Sequence, residues 1–361
     1  MARQGGDLTT TRLLDSQHTM KSIPRQPMRF DALDLYHAFL SEKGLRLKDA
    51  DSQAAFLSQI RNELLAAEQS ATIVHGTRTE AMFAYVATAL GGCVLLKKED
   101  AGIVYAEEDV VPPDYRIVAK DGTEYFVEVK NFRERRRGDP YVLKRKYVAK
   151  LERYTSAFGK ALKIAVYWSD WHLWTLVDLV RFQTKGAWYC LPLSRAMKFN
   201  EMGGLGDALI GVTPPLTLRL IADPERTSEV GADDSFVFTI GGVEIATGGT
   251  IISDEKERNF VLYLMMFGGW PTEQRVQLDR NRPLSVLFTS APPERSNEGR
   301  FDTITFLSKM ISTHYNAITA PAGEVVSIAP SAAPSAFRVD LPNARATSDL
   351  PLQIFYLTPA D

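Results

Sequence analysis

The chain has 361 residues, 45% of them hydrophobic and 24% charged, which excludes a wholly disordered polypeptide and leaves room for two or three domains. Forty-two basic residues against 44 acidic ones give a net charge of −2. The chain as a whole therefore does not attract nucleic acid, and any such contact must come from a local patch.

The polar start MARQGGDLTTTRLLDSQHTM reads as a loose lead-in without the apolar core of a secretion signal, and no run of about 18 apolar residues predicts a membrane span. The expected location is the cytoplasm, with Cys93 and Cys190 reduced and buried among their apolar neighbours. The sequence has no Cys/His cluster for zinc, no P-loop and no GxSxG elbow.

In chain order, Leu33, Leu35, Phe39 and Leu40 space as the stripe of a first helix ended by Gly44. Ala54, Phe56, Leu57, Ile60 and Leu64 mark a second. A third is expected from Thr77 through Met82, Phe83, Val86 and Leu90, stopped by Gly91-Gly92. From Cys93 to Lys130, β-branched and aromatic residues broken by Pro112-Pro113 and Asp121-Gly122 predict strands. Residues 140–158 return to helix, and KIAVYW (163–168) and LWTLVDLV (173–180) read as two further strands. Beyond residue 200, FVFTI and VEIA flank Gly241-Gly242, a two-residue hairpin signal. A helix capped by Ser253 or Asp254 should run to Gly268-Gly269, the Ala/Pro/Ser-rich stretch 320–336 predicts a loop, and LQIFYL one last strand. The pattern is α/β. It divides into N-terminal tail and helices (1–70), a central α/β domain (71–200), and a second, mixed α+β domain of unassigned fold (201–361).

The informative stretch is PPDYRIVAKDGTEYFVEVKNFR, 112–133. Asp121-Gly122 predicts a turn between two strand-like runs, and the loop length sets which residues share a face. A two-residue loop would put Asp114 opposite Val129 and leave no clean core face. A three-residue loop puts Tyr115, Ile117, Ala119, Tyr125, Val127 and Val129 on one apolar face. Asp114, Arg116, Val118, Phe126, Glu128 and Lys130 then share the other. The hydrophobic pattern thus selects the register that gathers Asp114, Glu128 and Lys130. Two carboxylates a few Å apart suit a hard cation such as Mg²⁺, which keeps several waters and accepts phosphate oxygens. The metal would acidify a water, and a neighbouring ammonium can orient that water or stabilise the developing charge.

On these residues the stretch resembles the PD-(D/E)xK nuclease superfamily. Asp114 matches the motif's aspartate, Glu128 its second carboxylate and Lys130 its lysine. The family also places an acid on the helix before the hairpin, where Glu80 stands within VHGTRTEAMF (74–83). One branch carries Gln, three residues, then Tyr on the following helix; here Lys150 replaces the Gln and Tyr154 keeps the Tyr. The resemblance covers about residues 75–180. It implies a restriction-endonuclease-like core, a central mixed sheet flanked by helices, and assigns 71–200 as a metal-dependent nuclease domain. It further implies Mg²⁺, with Mn²⁺ able to substitute, held by Asp114, Glu128, the Val129 carbonyl and Glu80. Catalysis would fall to Asp114, Glu128, Lys130 and Glu80, with Lys130 positioning the attacking water.

Residues 130–153 hold ten Lys or Arg against three acids in a slightly acidic chain. Arg133, Arg135, Arg136, Arg137, Lys144, Lys146 and Lys150, with Tyr154, are the expected nucleic-acid contacts. The expected activity is endonucleolytic hydrolysis of DNA, ahead of RNA, in prokaryotic defence or restriction. The alternatives are a nuclease of branched or damaged DNA and a non-catalytic nucleic-acid-binding scaffold. Residues 201–361 are left for target recognition, homodimerisation or docking a partner protein. Tyr167, Trp168, Trp171 and Trp174 could stack bases. Three competing readings stand beside these: a solvated charged strand face at 114–130, a capping box at Thr77-x-x-Glu80, and core or strand-end packing for those four aromatics.

Overall fold

The computed structural model describes residues 27–49, 51–99, 104–226, 229–230, 236–280, 282–295, 300–342 and 348–360; the polar lead-in lies outside them. Helices α1 (Pro27–Lys43) and α2 (Ser52–Gln69) meet through Tyr36, Phe39, Leu40 and Phe56. Their remaining apolar stripes are open: Leu33, Leu57 and Leu64 are each more than half exposed.

Helix α3 (Ala71–Leu90) begins six residues before the expected Thr77. Ser70 is its N-cap and accepts the Ile73 N–H at 3.4 Å, so Thr77 and Glu80 lie inside the helix and form no capping box. Gly91, at φ 75°, supplies the left-handed C-cap. The chain then builds a five-stranded sheet from β1 (Cys93–Lys98), β2 (Tyr115–Ala119), β3 (Glu124–Phe132), β5 (Ala161–Trp168) and β6 (Leu173–Asp178), adjacent in that order. Only β3 and β5 run parallel, so the sheet is mixed. Helix α4 (Arg145–Ala157) makes their crossover, after a short strand β4 (Tyr141–Lys144) where the helix was expected to have started. β4 pairs instead with β8 (Trp188–Leu191), which also pairs with β7 (Gln183–Lys185).

Each face of the sheet has its own core. On one, Tyr115, Ile117, Ala119, Tyr125, Val127 and Val129 pack with Met82, Phe83 and Val86 of α3. The same cluster takes in Met202, Leu205, Ile311, Tyr315 and Phe337, so this core crosses the expected boundary at residue 200. On the other face, Phe126, Ile164 and Val166 meet Val148 and Leu151 of α4.

After α5 (Leu193–Lys198), strand β9 (Leu209–Val212) lies between β17 (Asp302–Phe306) and β18 (Leu352–Phe355). A second antiparallel sheet orders β14 (Thr250–Ile251), β13 (Ile240–Thr247), β10 (Leu216–Ala222), β16 (Arg282–Ser290) and β15 (Thr272–Asp279). The hairpin expected at Gly241-Gly242 is absent from these described residues: β13 continues through both glycines, with a register shift at Gly241, while β12 (Phe236–Val237) pairs with β11 (Glu229–Val230). Gly241 answers to close packing, since a Cβ there would stand 2.9 Å from the Asp223 Cα. Helix α6 (Glu255–Phe267) has the expected cap, Asp254, which accepts the Lys256 and Glu257 N–H groups. Helix α7 (Leu307–Thr319) lies against α3 and β6. Cys93 and Cys190 are both buried, and the Cys93 thiol donates to the Ala87 carbonyl at 3.5 Å. Among the described residues no helix is long and apolar enough to cross a membrane.

Candidate active site

Strands β2 and β3 pair Tyr115 with Val127, Arg116 with Phe126 and Ile117 with Tyr125. Ala119 donates to the Thr123 carbonyl at 2.8 Å, so the loop is the three residues Lys120-Asp121-Gly122. One step beyond the Tyr115 pair, this register sets Asp114 against Glu128. The apolar face is the one that meets α3, and the charged face is turned towards α4. Lower on that face Arg116 pairs with Glu124, which also takes Lys160 at 2.9 Å. The charged groups at the upper end have less to balance them.

Asp114 accepts the Val129 N–H on Oδ2 at 2.7 Å, an intrahairpin bond that fixes the carboxylate beside β3. Burial, with Glu128 and then Glu80 as repelling neighbours, pushes its carboxyl up to about 7 against the opposing pull of that N–H and of Lys130. Glu128 is only 2% exposed. Its Oε1 takes both the Lys130 ammonium and the Tyr147 hydroxyl. Burial alone would lower Lys130, but Glu128, Tyr147 and Asp114 outweigh it and hold the ammonium above its ordinary value. Glu80 approaches from α3, where its carboxylate meets Lys98 at 3.3 Å and its carbonyl takes the Tyr115 hydroxyl at 3.0 Å. Among the described residues no three His, Cys, Asp or Glu side chains converge as a metal cluster. The donors at hand are the buried carboxylate of Glu128 and the half-buried one of Asp114, a pair that fits an ion completing its shell with water, such as Mg²⁺. A carboxylate pair largely withdrawn from water, with one lysine, also leaves negative charge that a cation would offset.

Two side chains not anticipated from sequence belong to this face. Tyr147, from the first turn of α4, donates to Glu128 and lays its ring 5.3 Å from the Lys130 nitrogen. Its signal in the sequence was its place within the basic stretch 130–153, one of several tyrosines with nothing local to distinguish it. Glu99, the residue after β1, donates its N–H to the Asp114 carbonyl at 2.9 Å and so continues the row of acids past the end of that strand. Its carboxylate is held by Lys97 at 3.1 Å and by the Tyr154 hydroxyl at 2.8 Å.

The expected nucleic-acid contacts separate into groups. Tyr154 is half-buried against Phe126 and Phe158 and turned towards Glu99. Lys150 is tied to Asp109 at 2.6 Å, as is its neighbour Arg153 to Glu108 at 2.7 Å. Arg133 meets Asp170 at 3.4 Å. Arg135, Arg136, Arg137, Lys144 and Lys146 are exposed, and among the described residues none has a carboxylate partner. The acids inside the loop serve its backbone: Glu134 accepts the Gly138 N–H at 3.2 Å and Asp139 the Arg136 N–H at 3.0 Å. The loop leaves the same end of β3 that carries Glu128 and Lys130. At about 3.3 Å per strand residue, Arg133 stands about 10 Å beyond Lys130.

No family model and no curated protein matches this chain. Among solved structures, it is similar to Hjc, a Holliday junction resolvase from the archaeal hyperthermophile Archaeoglobus fulgidus. The identity is 17%, the match covers 29% of this chain and 80% of the resolvase, and the TM-score is 0.22.

Proposed function

We propose that the chain is a metal-dependent nuclease of restriction-endonuclease-like core that hydrolyses DNA phosphodiester bonds, with Mg²⁺ as its ion and Mn²⁺ as a substitute. The observation that carries this reading is the β2–β3 register, which sets Asp114 against Glu128 with Lys130 on the same face. A divalent ion held by Asp114, Glu128 and the Val129 carbonyl, with Glu80 nearby, would acidify a water and offset charge on the phosphoryl oxygens.

The protein's own groups supply the rest. Lys130, held above its ordinary value, stays an ammonium and so serves as a donor that orients water and stabilises charge, not as a base. Tyr147 keeps Glu128 and Lys130 in one arrangement from the α4 side. The unpaired arginines at 135–137 and the lysines at 144 and 146 offer phosphate contacts to either side of the scissile bond. A solvated charged face accounts for none of the burial of Glu128 and Phe126.

The test incubates purified protein with supercoiled, linear and single-stranded DNA in Mg²⁺, Mn²⁺, Ca²⁺ or EDTA. Cleavage should require Mg²⁺ or Mn²⁺. Asp114→Ala, Glu128→Ala and Lys130→Ala should each abolish it in folded protein, since each 1.36 kcal/mol of lost transition-state stabilisation is about tenfold in rate. Cleavage that persists in EDTA, or in Asp114→Ala, refutes the reading.

A further inference from the structure

The turn between β5 and β6 carries an aromatic residue that the core does not use. Trp168 and Trp174 are fully buried, and their indole N–H groups are satisfied by Thr175 and Ser312, both at 2.9 Å. Tyr167 is buried as well. Trp171 is 44% exposed and lines a shallow, open cleft with Arg133, Glu134, Arg137 and Asp170.

The cleft is held in shape from both sides. Asp170 accepts the Glu134 N–H at 2.9 Å and pairs with Arg133, joining the β5–β6 turn to the basic loop. Ser169 donates its N–H to the Phe132 carbonyl at 2.9 Å. His172, at φ 50°, closes the turn and is fixed through Nδ1 by the Tyr167 hydroxyl at 2.9 Å. Trp171 therefore sits on a braced turn rather than a free loop.

The lining narrows the ligand. An indole face and planar guanidinium groups suit a flat aromatic ring. Glu134 and Asp170 oppose a bare phosphate but can accept hydrogen bonds from exocyclic amino groups. A nucleobase has both properties. A base inside a duplex cannot present its face to a side chain, so the ligand must be unstacked.

Resting on the nuclease reading, we propose that this cleft takes an unstacked nucleobase of a single-stranded segment adjoining the scissile phosphate. The preferred substrate class is then DNA with unpaired nucleotides beside the cut, and the basic loop holds the flanking backbone.

The test uses Asp114→Ala protein in Ca²⁺, titrated with a short single strand, its fully paired duplex, and a duplex with a single-stranded extension. Tryptophan fluorescence and anisotropy of a labelled strand are read together. Single-strand binding should quench fluorescence. Trp171→Ala should lose roughly tenfold or more in single-strand and extended-duplex affinity, the loss expected of one base stack, with duplex affinity unchanged. Trp171→Phe should recover most of the affinity and lose the quench. Equal affinities in Trp171→Ala and its parent overturn the proposal, as does an equal loss on duplex and single strand. A parent that binds and cuts duplex but ignores single strands overturns it while leaving the nuclease reading intact. Selective loss in Trp171→Ala beside an otherwise wild-type protein that cuts nothing with any metal keeps the base-binding cleft and removes the nuclease.

Discussion

Asp114→Asn should make the metal-free protein more stable at neutral and alkaline pH. The folded carboxyl is raised from 3.8 to about 7, by burial first and Glu128 second. Folding therefore favours its protonated form. Below about pH 4 both folded and unfolded chains carry the proton and the penalty is absent. It grows as pH rises and is complete above about pH 7. Three units at 1.36 kcal/mol each make it about 4 kcal/mol. Asparagine keeps the shape and an acceptor oxygen for the Val129 N–H but carries no charge. Denaturant unfolding of both proteins from pH 4 to 8, in EDTA, should show curves that meet at acid pH and separate by up to about 4 kcal/mol at pH 8. Mg²⁺ should then stabilise the wild type, by ~2.7 kcal/mol at a hundred times its dissociation constant, and stabilise Asp114→Asn far less. A pH-independent difference, or a wild type more stable than Asp114→Asn at pH 8 without metal, refutes the argument.

Ca²⁺ should support DNA binding with little turnover, since it coordinates more loosely and polarises water less; equal cleavage rates in Ca²⁺ and Mg²⁺ count against the carboxylate pair as the ion's site. Reversing Arg135, Arg136 and Arg137 to Glu in the Asp114→Ala background should flatten the log K against log salt slope for duplex DNA by roughly 2 to 3 units. An unchanged slope would show that these arginines meet only solvent. Tyr147→Phe should keep the fold and the ring beside Lys130 but remove one hydrogen bond to a charged group, worth ~1.5–3 kcal/mol. Single-turnover cleavage should slow about tenfold or more, and an unaltered rate would leave Tyr147 no part in arranging Glu128.

The hairpin was legible from sequence because a strand's two-residue period makes a one-residue slip visible as a mixed face. Tyr115 through Val129 admit only one register with a clean apolar side, and β2 and β3 adopt it. Asp254 as a cap and Gly268 as the stop of α6 were legible for the same kind of reason, since cap chemistry is local. Local chemistry also misled. Thr77-x-x-Glu80 satisfies the spacing of a capping box, but Ser70 caps the helix a full two turns earlier. Gly241-Gly242 has the composition of a tight turn, yet it serves the approach of β13 to Asp223. The partners that come from far along the chain left no local trace. Tyr147 reaches Glu128 only once α4 has crossed over the sheet. Nothing in 307–319 announces that α7 will lie on α3.

The placement of α7 bears on when the core behind the hairpin is complete. Arg78 of α3 is buried against Thr319 and Asn316, and Trp174 of β6 donates to Ser312. The face of the sheet behind Asp114 and Glu128 is thus completed by residues that lie far downstream of the hairpin in the chain. At about 5–20 residues per second, the ribosome needs on the order of 10 s to pass from Met202 to Phe337. During that interval the hairpin's strands exist but lack the part of their core that Ile311 and Tyr315 supply. A nascent chain of this kind would complete the packing behind the hairpin only after α7 has been made, long after the hairpin itself.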